Sequence, residues 1–154
     1  MINTAQARSF LTEGRVAVIG ASDEKGNFGG TVCRTLRDHD CEVVAVHPSA
    51  AGAGGAPVYR SIEAVPPPVD TALIMVPAAS AAGVVADCVS LGIRRLWLFK
   101  GLGPGSVSED ALEACRREGV EVVAGACPLM FLEPVRGVHA MHRTIRRMRR
   151  AVTA

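Results

Sequence analysis

The sequence predicts an α/β fold, an open doubly wound parallel sheet of five principal strands with a basic amphipathic helix at the C-terminus. Three observations predict it. Short Val/Ile/Leu runs alternate with longer segments of helical periodicity, which is the pattern of βαβ units. The runs are continuously apolar rather than alternating, as strands covered on both faces must be. Each run also stops at a glycine or proline at its C-terminal end: Gly20, Pro48, Pro77, Gly101 and Pro128.

The elements follow in order. RVAVIG (15–20) is the first strand, and GGTVCRTLRDHD after it places Val32, Cys33 and Leu36 on one helical stripe. CEVVAV (41–46) is the second strand, and the Ala/Gly-rich stretch 49–57 reads as a loop. VYRSIEAV (58–65) is a short turn of structure stopped by three prolines, before the third strand DTALIMV (70–76). AASAAGVVADCVSLG reads as helix despite Gly83, and RRLWLF (94–99) is the fourth strand. SVSEDALEACRREG opens with Ser106 as a cap and Glu109 three residues on, a capping box, with Val107, Ala111, Leu112 and Cys115 on one face. VEVVAG (120–125) is the fifth strand.

The chain has 154 residues, 49% of them hydrophobic, enough for one domain with a real core. No apolar stretch approaches the ~20 residues of a membrane span, and MINTAQARSFLTEG lacks the basic start and apolar centre of a secretion signal. Five cysteines are dispersed without CxxC pairs, which argues against a zinc site or disulfide framework and for a reducing compartment. A soluble, cytoplasmic protein is the expectation. Charge is uneven: residues 1–135 hold 11 Lys/Arg against 15 Asp/Glu, and 136–154 hold six arginines and no acid. The domain therefore divides into a mildly acidic body, 1–135, and a basic helix, 136–154, part of or packed on the same unit. In that tail Val138, Met141, Ile145, Met148 and Val152 form one apolar stripe, suited to docking on the sheet or on a dimer mate. Such a local basic patch is no basis for reading the whole domain as a nucleic-acid binder.

In a doubly wound sheet, ligands sit outside the carboxyl ends of the strands. After the first strand the chain reads GASDEKGNFGG. Gly20 permits a sharp turn, Ala21 and Ser22 keep side chains short, and helix entry near Gly29 aims free N–H groups and a positive helix end at the loop. That is a site for phosphate or diphosphate, with Ser22 able to donate a hydroxyl and Lys25 a charge. A glycine-rich loop of this length also exceeds an ordinary βα connection. The NAD fingerprint GxGxxG is absent, and the second strand ends Val46-His47-Pro48 without the carboxylate that binds ribose hydroxyls. A histidine there can instead donate to a phosphate carried on the ribose. NADP and coenzyme A both satisfy this reasoning; NAD does not.

VAVIGAS, the V-x-V-H-P after the second strand, PVYRSIEAVPPPVDTALIMVP and GACPLMFLEP together resemble the CoA-binding domain family, from about residue 10 to 134. Relatives include stand-alone CoA-binding proteins, the α subunit of succinyl-CoA synthetase and ADP-forming acyl-CoA synthetases. The resemblance implies a Rossmann-like fold with coenzyme A or acyl-CoA as ligand. It implies that Gly20, Ala21, Ser22 and the stretch Lys25–Gly29, with Lys25, Gly26, Phe28 and Gly29 foremost, hold CoA phosphates, that Val46, His47 and Pro48 lie beside the adenosine, and that Val76 and Pro77 follow the nucleotide or pantetheine. Two departures stand out. The stand-alone relatives usually carry Asn where this chain has His47, and a charged residue where it has Met75-Val76-Pro77, which is closer to the synthetases.

No nucleophile, base and orienting group fall together in the sequence. Cys127 ends the fifth strand but reads as a small core thiol, His139 and His142 have no acid nearby, and Trp97 and Tyr59 read as packing aromatics. The expected function is CoA or acyl-CoA binding without catalysis by the chain alone, as a sensor, carrier or detached subunit. A CoA-binding component of a split acyl-CoA synthetase is the second reading, and an NADP-binding reductase the third. Expected partners are CoA, a second copy of the chain, and an ATP-grasp or acyltransferase protein; membranes and nucleic acid are not.

Overall fold

The computed structural model describes residues 2–101 and 105–132. In chain order the elements are α1 (Thr4–Thr12), β1 (Arg15–Ile19), α2 (Gly29–Asp38), β2 (Glu42–Val46), β3 (Val58–Tyr59), a 3-10 turn (Ile62–Ala64), β4 (Thr71–Ile74), α3 (Ala78–Ser90), β5 (Arg95–Phe99), α4 (Glu109–Glu118), β6 (Glu121–Ala126) and a second 3-10 turn (Pro128–Phe131). The strands form one parallel sheet in the order β3-β2-β1-β4-β5-β6. This is the Rossmann-like arrangement, and chain direction across the sheet reverses between β1 and β4.

Alternate strand residues feed two apolar layers. Val16, Val18, Ala45, Leu73 and Trp97 face α1 and α2, packing on Phe10, Leu11, Val32 and Leu36. Ala17, Ile19, Val44, Ala72, Ile74, Leu96 and Leu98 face α3 and α4, packing on Ala81, Val85, Ala111 and Ala114. With both faces covered, the strands have no polar side to display, hence their unbroken apolar sequence.

Three elements differ from the sequence expectation. The sheet has six strands, because Val58 and Tyr59 pair with Ala45 and Val46 at the edge; a two-residue strand leaves no periodicity to read. Helix α1 is unannounced by a long apolar stripe, yet Asn3 and Gln6 close a reciprocal capping box and Ala7, Phe10 and Leu11 are buried. Helix α4 is capped by Ser108, whose hydroxyl accepts from the Ala111 N–H at 3.1 Å, and not by Ser106. The expected basic helix at 136–154 lies outside the described residues.

The register places the strand ends level. Ile19 is opposite both Val46 and Ile74, and Ile74 is opposite Leu98. Gly20, His47, Met75 and Phe99 therefore emerge along a single edge of the sheet, and the loops after them form one surface.

Candidate functional site

The loop from Gly20 to Phe28 is a folded structure held by its own groups. Gly20 has φ +98° and its N–H donates to the Val46 carbonyl at 2.7 Å. A Cβ there would stand 2.8 Å from the Met75 carbonyl oxygen, so β1 and β4 approach as closely as they do because Gly20 has no side chain. Asn27 then ties the loop together: its Nδ2 donates to the Gly20 carbonyl at 2.9 Å, and its Oδ1 accepts from the Gly29 N–H at 2.8 Å. Glycine is needed at 29 as well, where a Cβ would fall 2.5 Å from the Ala21 Cα.

Several residues expected to touch phosphate are engaged within the loop itself. Ser22 is fully buried, and its Oγ accepts from the Glu24 N–H, while its carbonyl accepts from Gly30. Ala21 is also fully buried. The N–H groups of Gly29 and Gly30, expected to be free at the helix entry, are already taken by Asn27 and Ser22. Among the described residues, the N–H groups of Lys25, Gly26 and Phe28 donate to no protein acceptor. They sit at the exposed tip beside the start of α2, and the Lys25 side chain makes no ion pair there. The loop's unpaired backbone donors are thus concentrated at 25–28.

Asp23 faces away from that tip. Its Oδ1 accepts from the Gly54 N–H at 2.7 Å and its N–H donates to the Gly52 carbonyl at 2.8 Å, with the Arg34 guanidinium 3.9 Å off. Arg37 Nη1 donates to the Gly54 carbonyl. The Ala/Gly-rich stretch 49–57 is thereby pinned against the first loop, although the sequence read it as a plain connection.

His47 leaves β2 at the expected place, half-buried, with Nδ1 accepting from the N–H groups of both Ser49 and Ala50 at 3.1 and 3.0 Å. An Asn side chain can present its Oδ1 to the same N–H groups in an Asx turn, so the histidine does locally what an asparagine would. Only Nε2 remains for a ligand. Val46 is buried and contributes its carbonyl to Gly20, and Pro48 is exposed.

On the other side of the loop lies a cleft of about 280 Å³. Gly26, Asn27 and Phe28 form one wall, Met75, Val76 and Pro77 a second, and Phe99, Gly105 and Ser106 the third. Of the sequence-predicted residues, Gly26, Phe28, Val76 and Pro77 meet here, whereas Val46, His47 and Pro48 do not line it. Phe28 is 43% exposed and its ring lies against Phe99, centroids 6.0 Å apart. Buried Ser106 closes the floor by donating its hydroxyl to the Val76 carbonyl, and its N–H donates to the Phe99 carbonyl.

Nucleophilic groups are scarce. Burial pushes the Cys33 and Cys88 thiols up to about 12 and raises Cys115, so all three stay protonated near neutral pH. Trp97 is fully buried between Phe10 and Phe131, as a packing residue. Among the described residues no cluster of His, Cys, Asp and Glu could hold a metal. No helix among them is long and apolar enough to cross a membrane.

The sequence profile described as the CoA binding domain matches residues 14–133. The chain belongs to that family. This CoA binding domain is 32% identical over 122 residues to an ADP-forming acetate–CoA ligase of Archaeoglobus fulgidus, covering 73% of the chain and 17% of the ligase. The chain thus spans about a sixth of the length of that relative. Among solved structures, a conserved hypothetical protein from Pyrococcus furiosus superposes with a TM-score of 0.69 at 28% identity, covering 77% of this chain and 99% of that one. The dinucleotide-forming acetyl-coenzyme A synthetase 1 of Ca. Korarchaeum cryptofilum superposes with a TM-score of 0.60 at 24% identity, over 75% of this chain and 27% of the synthetase. The last shares the fold.

Proposed function

We propose that this CoA binding domain binds coenzyme A or an acyl-CoA and performs no catalysis by itself. One observation carries the reading: in a chain of this family, the unpaired N–H groups of Lys25, Gly26 and Phe28 sit between a helix N-terminus and a cleft that has no charged side chain among its described lining residues. The diphosphate lies on that loop tip with the Lys25 ammonium beside it. Adenosine lies toward the end of β2, where His47 offers Nε2–H, and pantetheine runs into the cleft along Val76 and Pro77. Of the phosphate contacts read from the sequence, Gly20, Ala21, Ser22 and Gly29 act by shaping the loop, and Lys25, Gly26 and Phe28 by touching the ligand.

The described lining supports the absence of catalysis. Among the described residues Ser106 supplies the cleft's hydroxyl, it donates to a backbone carbonyl, and no imidazole or carboxylate lines the cleft. A nucleophile without a base does little. Dispersed thiols fit a cytoplasmic setting.

Similarity to the acetate–CoA ligase favours one second reading, a CoA-binding component whose ATP chemistry comes from a separate ATP-grasp chain. On that reading the purified chain makes no ATP from acetyl-CoA, ADP and phosphate until the partner is added. An NADP-binding reductase is a weaker third reading, since no observation favours it over CoA.

Titration calorimetry of the purified chain with CoA, NADP and NAD tests the proposal. CoA binds and NAD does not, because β2 ends in His47 rather than a carboxylate. NAD binding as tightly as CoA would overturn the reading.

A further inference from the structure

The end of β3 carries a cation that the reading above leaves unused. Arg60 directly follows Tyr59, the last residue of β3, and is exposed. Its Nη1 donates to the Ala50 carbonyl at 2.7 Å and to the His47 carbonyl at 3.3 Å. The His47 N–H in turn donates to the Tyr59 carbonyl at 2.9 Å, and His47 Nδ1 gathers the N–H groups of Ser49 and Ala50. The guanidinium is thus fastened to the turn after β2 through one of its nitrogens.

The other two nitrogens are uncommitted. Among the described residues, Arg15, Arg34, Arg95, Arg116 and Arg117 each pair with a carboxylate, whereas Arg60 pairs with none. Its Nε and Nη2 donate to no protein acceptor. These two nitrogens share one edge of the planar group, so their N–H bonds run parallel and fit two oxygens of a phosphate. The carbonyls of His47 and Ala50 hold that edge in place before any ligand arrives, which lowers the ordering cost of binding. Register fixes what lies beside it. Ile19 is opposite Val46, and Val46 is opposite Tyr59, so the ends of β1, β2 and β3 stand in a row at steps of about 4.8 Å.

We propose that Arg60 is the specificity residue for the 3′-phosphate of coenzyme A, gripping it through Nε and Nη2 with the His47 Nε2–H as a third donor. The proposal rests on the CoA-binding reading above and adds the residue that tells CoA from its dephospho form. The ribose of CoA bears the diphosphate on its 5′ carbon and a phosphomonoester on its 3′ carbon. With the diphosphate on the loop after β1 and pantetheine leading toward β4, the ribose lies toward β2, and the row of strand ends continues to Arg60. A phosphomonoester carries nearly two negative charges near neutral pH, and a guanidinium keeps its own charge throughout. The diphosphate already has Lys25 and the loop amides; the monoester needs a cation of its own, and Arg60 supplies it.

The test is calorimetric titration of the full chain with CoA, dephospho-CoA and NADP at one salt concentration, for wild type, Arg60→Gln and Arg60→Ala. Wild type binds CoA about 10- to 100-fold more tightly than dephospho-CoA, as charge-assisted hydrogen bonds to one phosphate allow. Both substitutions lower CoA affinity at least about tenfold and leave dephospho-CoA affinity unchanged. Substitutions that weaken CoA and dephospho-CoA alike show that Arg60 only braces the turn, and overturn the proposal. Equal affinity of wild type for the two ligands overturns it while leaving CoA binding intact. A loss confined to NADP assigns the arginine to a 2′-phosphate and overturns it as well. Failure of both CoA and dephospho-CoA to bind wild type overturns the CoA reading itself.

Discussion

Replacing Gly20 by alanine adds one methyl group where the first loop leaves β1 beside Met75. Two costs arise. The residue sits at φ +98°, where a side chain is strained by about 1–2 kcal/mol. The new Cβ also falls 2.8 Å from the Met75 carbonyl oxygen and 3.1 Å from its carbon. That backbone cannot easily retreat, because the Met75 N–H is bonded to Ile19 and the Val76 carbonyl receives Ser106. Overpacking of this kind costs about 1–3 kcal/mol, for a total near 3 kcal/mol. Set against a stability of about 5–15 kcal/mol, the variant folds but melts roughly 6–12 °C lower. Relief of the clash moves Gly20 away from Val46 and Asn27, so the loop tip loses its shape and CoA affinity falls at least about tenfold, about 1.4 kcal/mol. Differential scanning calorimetry and CoA titration read the two effects. A variant that melts with the wild type and binds CoA equally well would refute the close-approach argument.

Asn27→Ala removes two hydrogen bonds of about 1 kcal/mol each; it should lower the melting temperature by several degrees and weaken CoA in the same titration. His47→Asn should keep both stability and CoA affinity, since an amide oxygen can accept from Ser49 and Ala50, whereas His47→Ala should lose some of each; thermal melts and titration of the pair decide it. Native protein at pH 8 should release about two equivalents of thiol to a disulfide reagent, from half-buried Cys41 and Cys127, and five after unfolding. Alkali should destabilise the fold: Cys33 and Cys88 ionise in the unfolded chain near 9.0 but in the folded one only near 12. Their contribution is fully present below about pH 9 and is lost as pH rises toward 12, by at most about 1.4 kcal/mol per thiol per pH unit. Urea midpoints between pH 8 and 11 should fall less steeply for Cys88→Ala.

What the sequence made legible is what repeats or punctuates. The central strands, buried on both faces, betray themselves as apolar runs, and the residues ending them, Gly20, Val46–Pro48 and Val76–Pro77, mark one edge of the sheet. What stayed hidden depends on contacts across the chain. That Ser22 turns inward follows from its packing behind the loop, and that Ser106 is a buried clamp rather than a cap follows from Val76, thirty positions away. Asn27 falls inside the stretch 25–29 that the resemblance sets against phosphate, but its fastening of the loop is not read from the sequence. An Asn just before a helix is a local signal, since its side chain readily takes up nearby backbone N–H groups, and it would have pointed to the loop's own fastening. Asp23 left no comparable trace, because its partners at Gly52 and Gly54 are set by tertiary docking. Phe99 became visible as a cleft residue once the register aligned β4 with β5.

The central claim, that the tip of the first loop holds the CoA diphosphate, is tested most directly by following backbone amides in solution. A 1H–15N correlation spectrum of uniformly labelled protein, titrated with CoA, should move the Lys25, Gly26 and Phe28 cross-peaks downfield in proton shift as their N–H groups take on the anion. The Gly29 and Gly30 peaks, already bonded to Asn27 and Ser22, should move less. Saturating CoA that leaves residues 25–28 unmoved while shifting amides elsewhere on the domain would contradict the account.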